Sequence, residues 1–344
     1  MNIVSQETML DARRKYTGTT QVPFTFGGKT EYAEKKLVNG EMQVMHFNKP
    51  LGEMISYGGS NVSKELLRKV VLDVELGREE VQPLYKPIYD TISDSNLPEV
   101  LDAKWALRGA CVFAQSFEGS EVHFGTLEAE NGPTARINTY TAGFEYTKQI
   151  ADFNQSFQVE LLNKAMGEAY NALLNEMYLG PFIKATYKKD NQTAKQAAAA
   201  GEPAFVTMYN TIKEGMKQAI VKKRPASVLL ASKANQLDIE QALRGGYTYN
   251  GTTLPAITGI STIIYYDGWT TTVGKKTTTY KGVPTDKIYL IRPKRGFKEL
   301  VKQDLRIEAN AGDLSRLVEQ QIVGYAYRGV FAAIDENVQE LTIA

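Results

Sequence analysis

Cysteine is nearly missing from this chain. One residue, Cys111, stands among 344, so no intrachain disulfide framework exists and a reducing compartment is the natural setting. Flanked by Ala110 and Val112, it reads as a buried small hydrophobe rather than a nucleophile. Histidine is almost as scarce. His46 and His123 lie far apart, neither has a neighbouring ligand-type pair, and HExxH, CxxC and His-rich spacings do not occur, so a zinc site has little support. Excess charge of either sign is missing too: 40 basic residues face 39 acidic ones. That balance argues against a dominant polycationic surface, leaving only local patches. No apolar run reaches the roughly 18–20 residues of a membrane span. The opening MNIVSQETML has no basic-then-apolar export pattern. The Asn-x-Ser/Thr triplets at Asn61, Asn191 and Asn250 then carry no weight as glycosylation sites.

Catalytic signatures are equally thin. GxGxxG and GxSxG are not found. Gly27-Gly28-Lys29-Thr30 resembles the tail of a phosphate loop, but Pro23 stands where the first glycine belongs; Gly274-Lys275-Lys276-Thr277 fails in a similar way. Carboxylates such as Asp152 and Glu160, or Asp304 and Glu308, have no apolar setting that would push two pKa values apart. We therefore expect no catalytic, cofactor or metal residues.

What the chain does have is a rod. From Asp152 to Tyr178 two apolar ridges recur at four-residue steps: Phe153, Phe157, Leu161, Ala165, Ala169, Leu173, Met177, and Leu162, Met166, Tyr170, Leu174, Tyr178. Residues four apart stack on one helix face, and a helix of this span is roughly 40 Å long. Glu160, Lys164, Glu168 and Glu176 make it amphipathic, and Gly167 marks a close approach by a neighbouring backbone. Pro181 after Gly180 is expected to end it.

Around the rod the elements are shorter. An arm over 1–62 carries isolated aromatics (Phe24, Phe26, Tyr32, Phe47, Tyr57), a helix within Val4–Tyr16, and a strand near Val44 behind an Asn39-Gly40 turn. It packs along its own chain or on a neighbour. Ser63 to Leu76 reads as a capped helix interrupted by Gly77. Leu97 to Leu107 is a short helix or an extended approach. Arg108 to Asn138 is a glycine-studded two-stranded excursion with a tip at Asn131-Gly132-Pro133, returning along Thr134–Lys148. After a polar, alanine-rich bridge over 182–204, helix and short strand alternate: Tyr209–Val221, Ala226–Ala231, Leu237–Leu243 and Leu254–Tyr266. A threonine-rich hairpin fills Asp267–Gly282, a strand Lys287–Arg292, and Phe297–Ile307 is mixed. The apolar end, Leu314–Ile343, is expected to enter a sheet and share a core with the rod. Arg292, Lys294, Arg295 and Lys298 form the best cationic cluster. An arm, a long hairpin and a rod all need surfaces outside their own domain to offset their ordering entropy, and symmetric assembly supplies such surfaces.

Two blocks carry a resemblance. LRGACVFAQSFEGSEVHFGTLEAENGPTARINTYTAGFEYTKQIADFNQSFQVELLNKAMGEAYNALLNEMY (107–178) and VKQDLRIEANAGDLSRLVEQQIVGYAYRGVFAAIDENVQELTIA (301–344) cover about a third of the chain. They resemble the major capsid proteins of tailed bacteriophages with the Hong Kong 97-type fold. The resemblance implies an α+β architecture of N-terminal arm (1–62), peripheral-domain entry helix and linker (63–108) and extended β-hairpin loop (109–137). A peripheral domain (138–208) follows with spine helix 152–178, then an axial α/β domain (209–310) and a closing segment (311–344) that returns to the peripheral domain. It further implies pentamers and hexamers closing an icosahedral shell around double-stranded DNA, contacted without sequence preference. Host-cytoplasmic assembly, a portal protein and, in some members, a decoration protein belong to the same picture. No long helical prefix precedes the arm, so a separate scaffolding protein or a scaffold-independent route is expected. Some members weld subunits through a loop lysine and an asparagine; here Gly109–Arg136 contains no lysine, which argues against that crosslink. Glu118, Glu121, Glu128 and Glu130 instead make the loop acidic, with Arg292, Lys294 and Arg295 as candidate inter-subunit partners. The alternatives are an encapsulin-like nanocompartment shell of the same fold and an unrelated α/β enzyme.

Overall fold

A computed structural model describes residues 2–4, 21–26, 28–38, 41–44, 64–102, 108–110, 126–128, 134–149, 153, 156–199, 201–249, 252–311 and 314–343. The chain opens with β1 (Asn2–Val4), then β2 (Gln21–Phe26), β3 (Lys29–Val38) and β4 (Glu41–Val44). Val38 pairs with Glu41, which leaves the expected Asn39-Gly40 between β3 and β4. The expected helix within 4–16 lies outside the described residues. Next come α1 (Lys64–Glu80), β5 (Asp90–Ser93), β6 (Val100–Asp102), β7 (Arg108–Ala110), β8 (Thr126–Glu128), β9 (Thr134–Thr147) and α2 (Ser156–Lys184). β10 (Gln192–Thr193), α3 (Ala204–Val221), β11 (Val228–Ala231), α4 (Gln236–Arg244), β12 (Thr248–Tyr249), β13 (Thr252–Thr253) and β14 (Thr262–Tyr265) follow. The chain continues through the hairpin β15 (Gly268–Val273) and β16 (Lys276–Lys281), then β17 (Lys287–Ile291) and β18 (Phe297–Ala311). It ends in β19 (Val318–Ala332), α5 (Ile334–Asn337) and β20 (Val338–Thr342).

Two sheets organise these elements. A five-stranded sheet runs β5-β18-β19-β9-β6, and α1 and α2 pack on the face that presents Tyr146 and Ile322. A six-stranded sheet runs β1-β14-β11-β17-β20-β10, with α3 and α4 burying Ile212, Ile239 and Leu243 against it. A single core joins the two: Tyr170, Leu174, Tyr178 and Phe182 of α2 meet Leu230, Ile264 and Tyr289 of the second sheet. As expected, the chain's end shares this core, through Ala326 and Val338.

Several expectations need correction. Gly77 does not interrupt α1, which runs on to Glu80. Pro181 does not stop α2, which reaches Lys184. A proline forfeits one backbone bond, and here Phe182 is fully buried while the Ala185 amide still reaches the Pro181 carbonyl at 3.1 Å. Phe297–Ile307 is not mixed but part of a 15-residue strand whose irregular reading reflects register shifts between Val301 and Gln303 and between Gln303 and Arg306. The closing segment divides: β19 joins the five-stranded sheet while β20 pairs with β17 in the other. The arm also divides. β1 pairs in parallel with β14, whereas Phe24 and Ala33 pack on Leu72 of α1. Leu97–Leu107 takes the extended option at Val100–Asp102.

Candidate functional site

The surface that matters most on the rod is a third ridge. Val159, Asn163, Gly167, Asn171, Asn175 and Leu179 also recur every four residues, and they are the most deeply buried line of α2. α1 and the stretch after it lie along this ridge. Asn171 donates to the Arg78 carbonyl at 2.8 Å and accepts from Arg78 Nε at 3.2 Å. Asn175 accepts from the Leu84 amide at 2.8 Å and donates to the Gln82 carbonyl at 2.9 Å. One turn before Asn171 the two backbones touch. A Cβ on Gly167 would lie 2.1 Å from the Val74 carbonyl oxygen, and one on Gly77 would lie 2.0 Å from that of Lys164. The close approach expected at Gly167 is therefore reciprocal, which is why Gly77 sits inside a helix.

A buried ionic hub ties these helices to the long strands. Glu299 of β18 is fully buried and accepts from Tyr85 Oη at 2.8 Å and Thr91 Oγ1 at 2.6 Å, with Lys86 Nζ at 3.3 Å. Arg328 of β19 pairs with Glu299, reaches Asp304 Oδ1 at 2.6 Å and donates from Nε to Tyr170 Oη at 2.8 Å. Burial would raise Glu299, but the Thr91 hydrogen bond, Lys86, Tyr85 and Arg328 together hold it below the usual carboxylate range. Burial likewise works against ionised Asp304, and the charges of Arg328 and Arg78 outweigh it, holding that carboxyl well below its ordinary value. Asp304, expected to have no apolar setting that would push two pKa values apart, is shifted here by charged partners, and in the same direction as Glu299. Glu299 is buried and Asp304 half-exposed, and the register shifts of β18 between Val301 and Arg306 bring both carboxylates to Arg328.

Asp73 shows the opposite behaviour. It accepts from Asn163 Nδ2 at 2.9 Å, and Tyr146 Oη donates to Asn163 Oδ1 at 2.8 Å. Burial outweighs Lys69, 3.5 Å away, and raises Asp73 from 3.8 to about 6. A carboxyl whose folded value exceeds its unfolded one binds its proton more tightly in the folded state. Its destabilising effect is therefore full above pH 6 and is relieved as pH falls towards 3.8. Asp73→Asn is expected to raise stability at pH 7.5 by up to about 3 kcal/mol and to flatten the slope between pH 7 and 4.5; urea unfolding across that range checks it. A variant less stable at pH 7.5 would contradict this.

The residues singled out for contacts fall in two places. Glu118, Glu121 and Glu130 lie outside the described residues, as do Cys111, His46, His123 and the loop tip. Glu128 is in β8, register partner of Arg108 in β7. Arg292, Lys294 and Arg295 form the turn from β17 to β18, where Lys294 has φ 67° and its amide bonds the Ile88 carbonyl at 2.7 Å. Lys298 leaves the cluster by pairing with Asp90 at 2.8 Å. Lys223 joins it, since Arg292 Nη1 donates to the Lys223 carbonyl at 3.2 Å. Among the described residues, no carboxylate pairs with Lys223, Lys294 or Arg295. Both phosphate-loop lookalikes are hairpin turns, Gly28 between β2 and β3 and Gly274 between β15 and β16, with no helix following. Among the described residues there is no group of three metal-binding side chains. No described helix is long and apolar enough to cross a membrane.

No protein-family model matches the chain, and no curated protein matches it. Solved structures do. The asymmetric unit of the bacteriophage PhiM1 mature capsid superposes with TM-score 0.54 at 9% identity, covering 76% of this chain and 86% of that one. The capsid of Myoviridae phage XM1 gives 0.48 at 12% identity over 85% and 95%, and a virus-like particle from Pyrococcus furiosus gives 0.49 at 9% over 80% and 98%. With a long α2 beside one sheet, a second sheet capped by α3 and α4, and this match to the PhiM1 capsid, the chain has the Hong Kong 97-type capsid fold.

Proposed function

We propose that the chain is the repeating subunit of a closed protein shell, a major capsid protein that forms pentamers and hexamers around double-stranded DNA. The fold shared with the PhiM1 capsid carries this reading. The rod's first ridge supports it. Phe153 is 71% and Leu161 51% exposed in the isolated subunit, and large apolar side chains left open in this way suit a surface that another copy covers. The role is structural, not catalytic. A portal protein, a separate scaffolding protein and a decoration protein would be its further partners, and the virion its location. Sedimentation of the expressed chain tests the reading: megadalton particles are expected, and a compact monomer that stays monomeric with scaffold supplied would contradict it. Nucleic acid inside the particles separates a phage capsid from a nanocompartment loaded with protein.

Cohesion in this reading is noncovalent, through the acidic loop and the cationic turn of a neighbouring copy. Lys223, Lys294 and Arg295 have no carboxylate partner among the described residues, which leaves them available to Glu128 and Glu130. Exposed pairs contribute about 0.2–1 kcal/mol each, but the contact recurs in every copy. Reversing both glutamates to lysine is expected to raise the critical concentration for assembly several-fold at low salt, with the difference shrinking towards 1 M salt. Light scattering that shows no salt-dependent difference would sink the pairing.

A further inference from the structure

The threonine-rich hairpin is not peripheral decoration. β15 and β16 leave the six-stranded sheet between β14 and β17 and lean on α2, which belongs with the five-stranded sheet. Their inward face carries Trp269 and Tyr280, stacked with ring centres 5.7 Å apart. Tyr280 lines a partly open cavity of about 170 Å³ together with Ala169 and Leu173 of the rod, Tyr140 of β9 and Leu305 of β18. The hairpin therefore covers the later half of the ridge whose early half, Phe153 and Leu161, is open.

Its root is stiff. Gly268 has φ 84°, and a Cβ there would meet the Tyr280 carbonyl oxygen at 2.1 Å; one on Gly282 would meet the Asp267 carbonyl carbon at 2.2 Å. Asp267 in turn accepts from Ser232 Oγ at 2.8 Å and the Lys233 amide at 2.9 Å, anchoring the root to the end of β11. At the far side Glu176 of α2 acts on both tyrosines: burial first, and its charge second, raise the Tyr266 and Tyr280 phenols. The Tyr266 hydroxyl, between the end of β14 and the hairpin, and Glu176 Oε2 are buried in this region without protein partners, a donor and an acceptor whose pairing would draw the hairpin's root and the rod closer.

We propose that the β15–β16 hairpin is a strut between the two sheets, bearing on α2 through Tyr280 and fixing the angle between them. The common core centred on Tyr178 and Phe182 acts as the pivot. Ala169 lies 13 residues before Phe182, roughly 20 Å along the helix, so a contact there resists rotation that the pivot alone would permit. Resting on the shell reading, the strut would then set the wedge angle at which subunits meet, and with it shell curvature.

The test compares full-length Tyr280→Ala with Thr279→Ala, whose side chain faces outward on the same strand. Hydrogen exchange over 169–176 in the free subunit is expected to quicken about tenfold or more in Tyr280→Ala and to stay unchanged in Thr279→Ala. Under the micrograph, Tyr280→Ala particles are expected to be heterogeneous in diameter or unclosed. Unchanged exchange would overturn the strut. Quickened exchange with wild-type diameters would overturn its control of curvature. Should Tyr280→Ala fail to fold, Tyr280→Leu keeps apolar bulk and gives the same readouts at smaller amplitude. A wild-type chain that forms no particles would defeat the shell reading and the curvature claim with it, while the exchange result would still decide the strut.

Discussion

Replacing Arg328 with methionine is expected to destabilise the subunit by about 3–5 kcal/mol, the usual result of stranding a buried charge. Glu299 is fully buried, and once Arg328 is gone the half-exposed Lys86, 3.3 Å away, is the one cation left to it, alongside the Tyr85 and Thr91 hydroxyls. Asp304 suffers less, because its own side chain is half-exposed and water can solvate it. The loss therefore belongs mainly to one carboxylate, which makes it reversible. Adding Glu299→Gln to Arg328→Met removes that charge, keeps one acceptor oxygen, and puts an amide NH2 in place of the other, which the facing Tyr85 or Thr91 hydroxyl can accept. The double variant is expected to recover more than half of the lost stability. Urea unfolding of the four proteins of this cycle measures the coupling directly. Two losses that simply add would show that the hub is not a unit.

Gly167→Ala is expected to cost about 3 kcal/mol or more, at the upper end for overpacking. The sign is the informative part, since alanine in an unconstrained helix interior would gain about 1 kcal/mol over glycine. Here the new carbon meets the Val74 carbonyl oxygen at 2.1 Å and the Arg78 amide nitrogen at 2.8 Å. Both are backbone atoms, so no side chain can swing aside. α1 and α2 have to part, which stretches the Asn171–Arg78 and Asn175–Leu84 bonds at the same time. Gly77→Ala forces the same separation, and so the double variant is expected to cost clearly less than the sum. Thermal unfolding checks both points. A Gly167→Ala protein as stable as the parent would mean that the two helices do not touch at this crossing.

These two sites also show what could be read from residues alone. The rod, the arm strand behind Asn39-Gly40, the alternation of helix and strand after 209 and the threonine hairpin follow from local rules of period and turn chemistry, and the described residues carry them. The third ridge obeys the same four-residue period, yet its asparagines look like a solvated face, and Gly167 alone points to a close neighbour. Only partners some 90 positions away, in α1, turn those amides into buried groups with satisfied hydrogen bonds. The ionic hub was hidden for the same reason. Glu299, Asp304 and Arg328 belong to strands that look amphipathic, and nothing local says that α1 and α2 will close over them. Pro181 and Gly77 misled because each is a helix breaker by propensity, and tertiary packing overrides propensity where Phe182 is buried or two backbones meet. The proposed contact residues are legible as charge patterns only, since in the proposed shell their partner surface would belong to another copy.

Electron microscopy of the purified chain, in negative stain, with scaffold supplied if the chain alone stays dispersed, tests the central claim most directly. Closed shells, or rings of five and six subunits, are expected. A homogeneous, compact monomer under both conditions would contradict it.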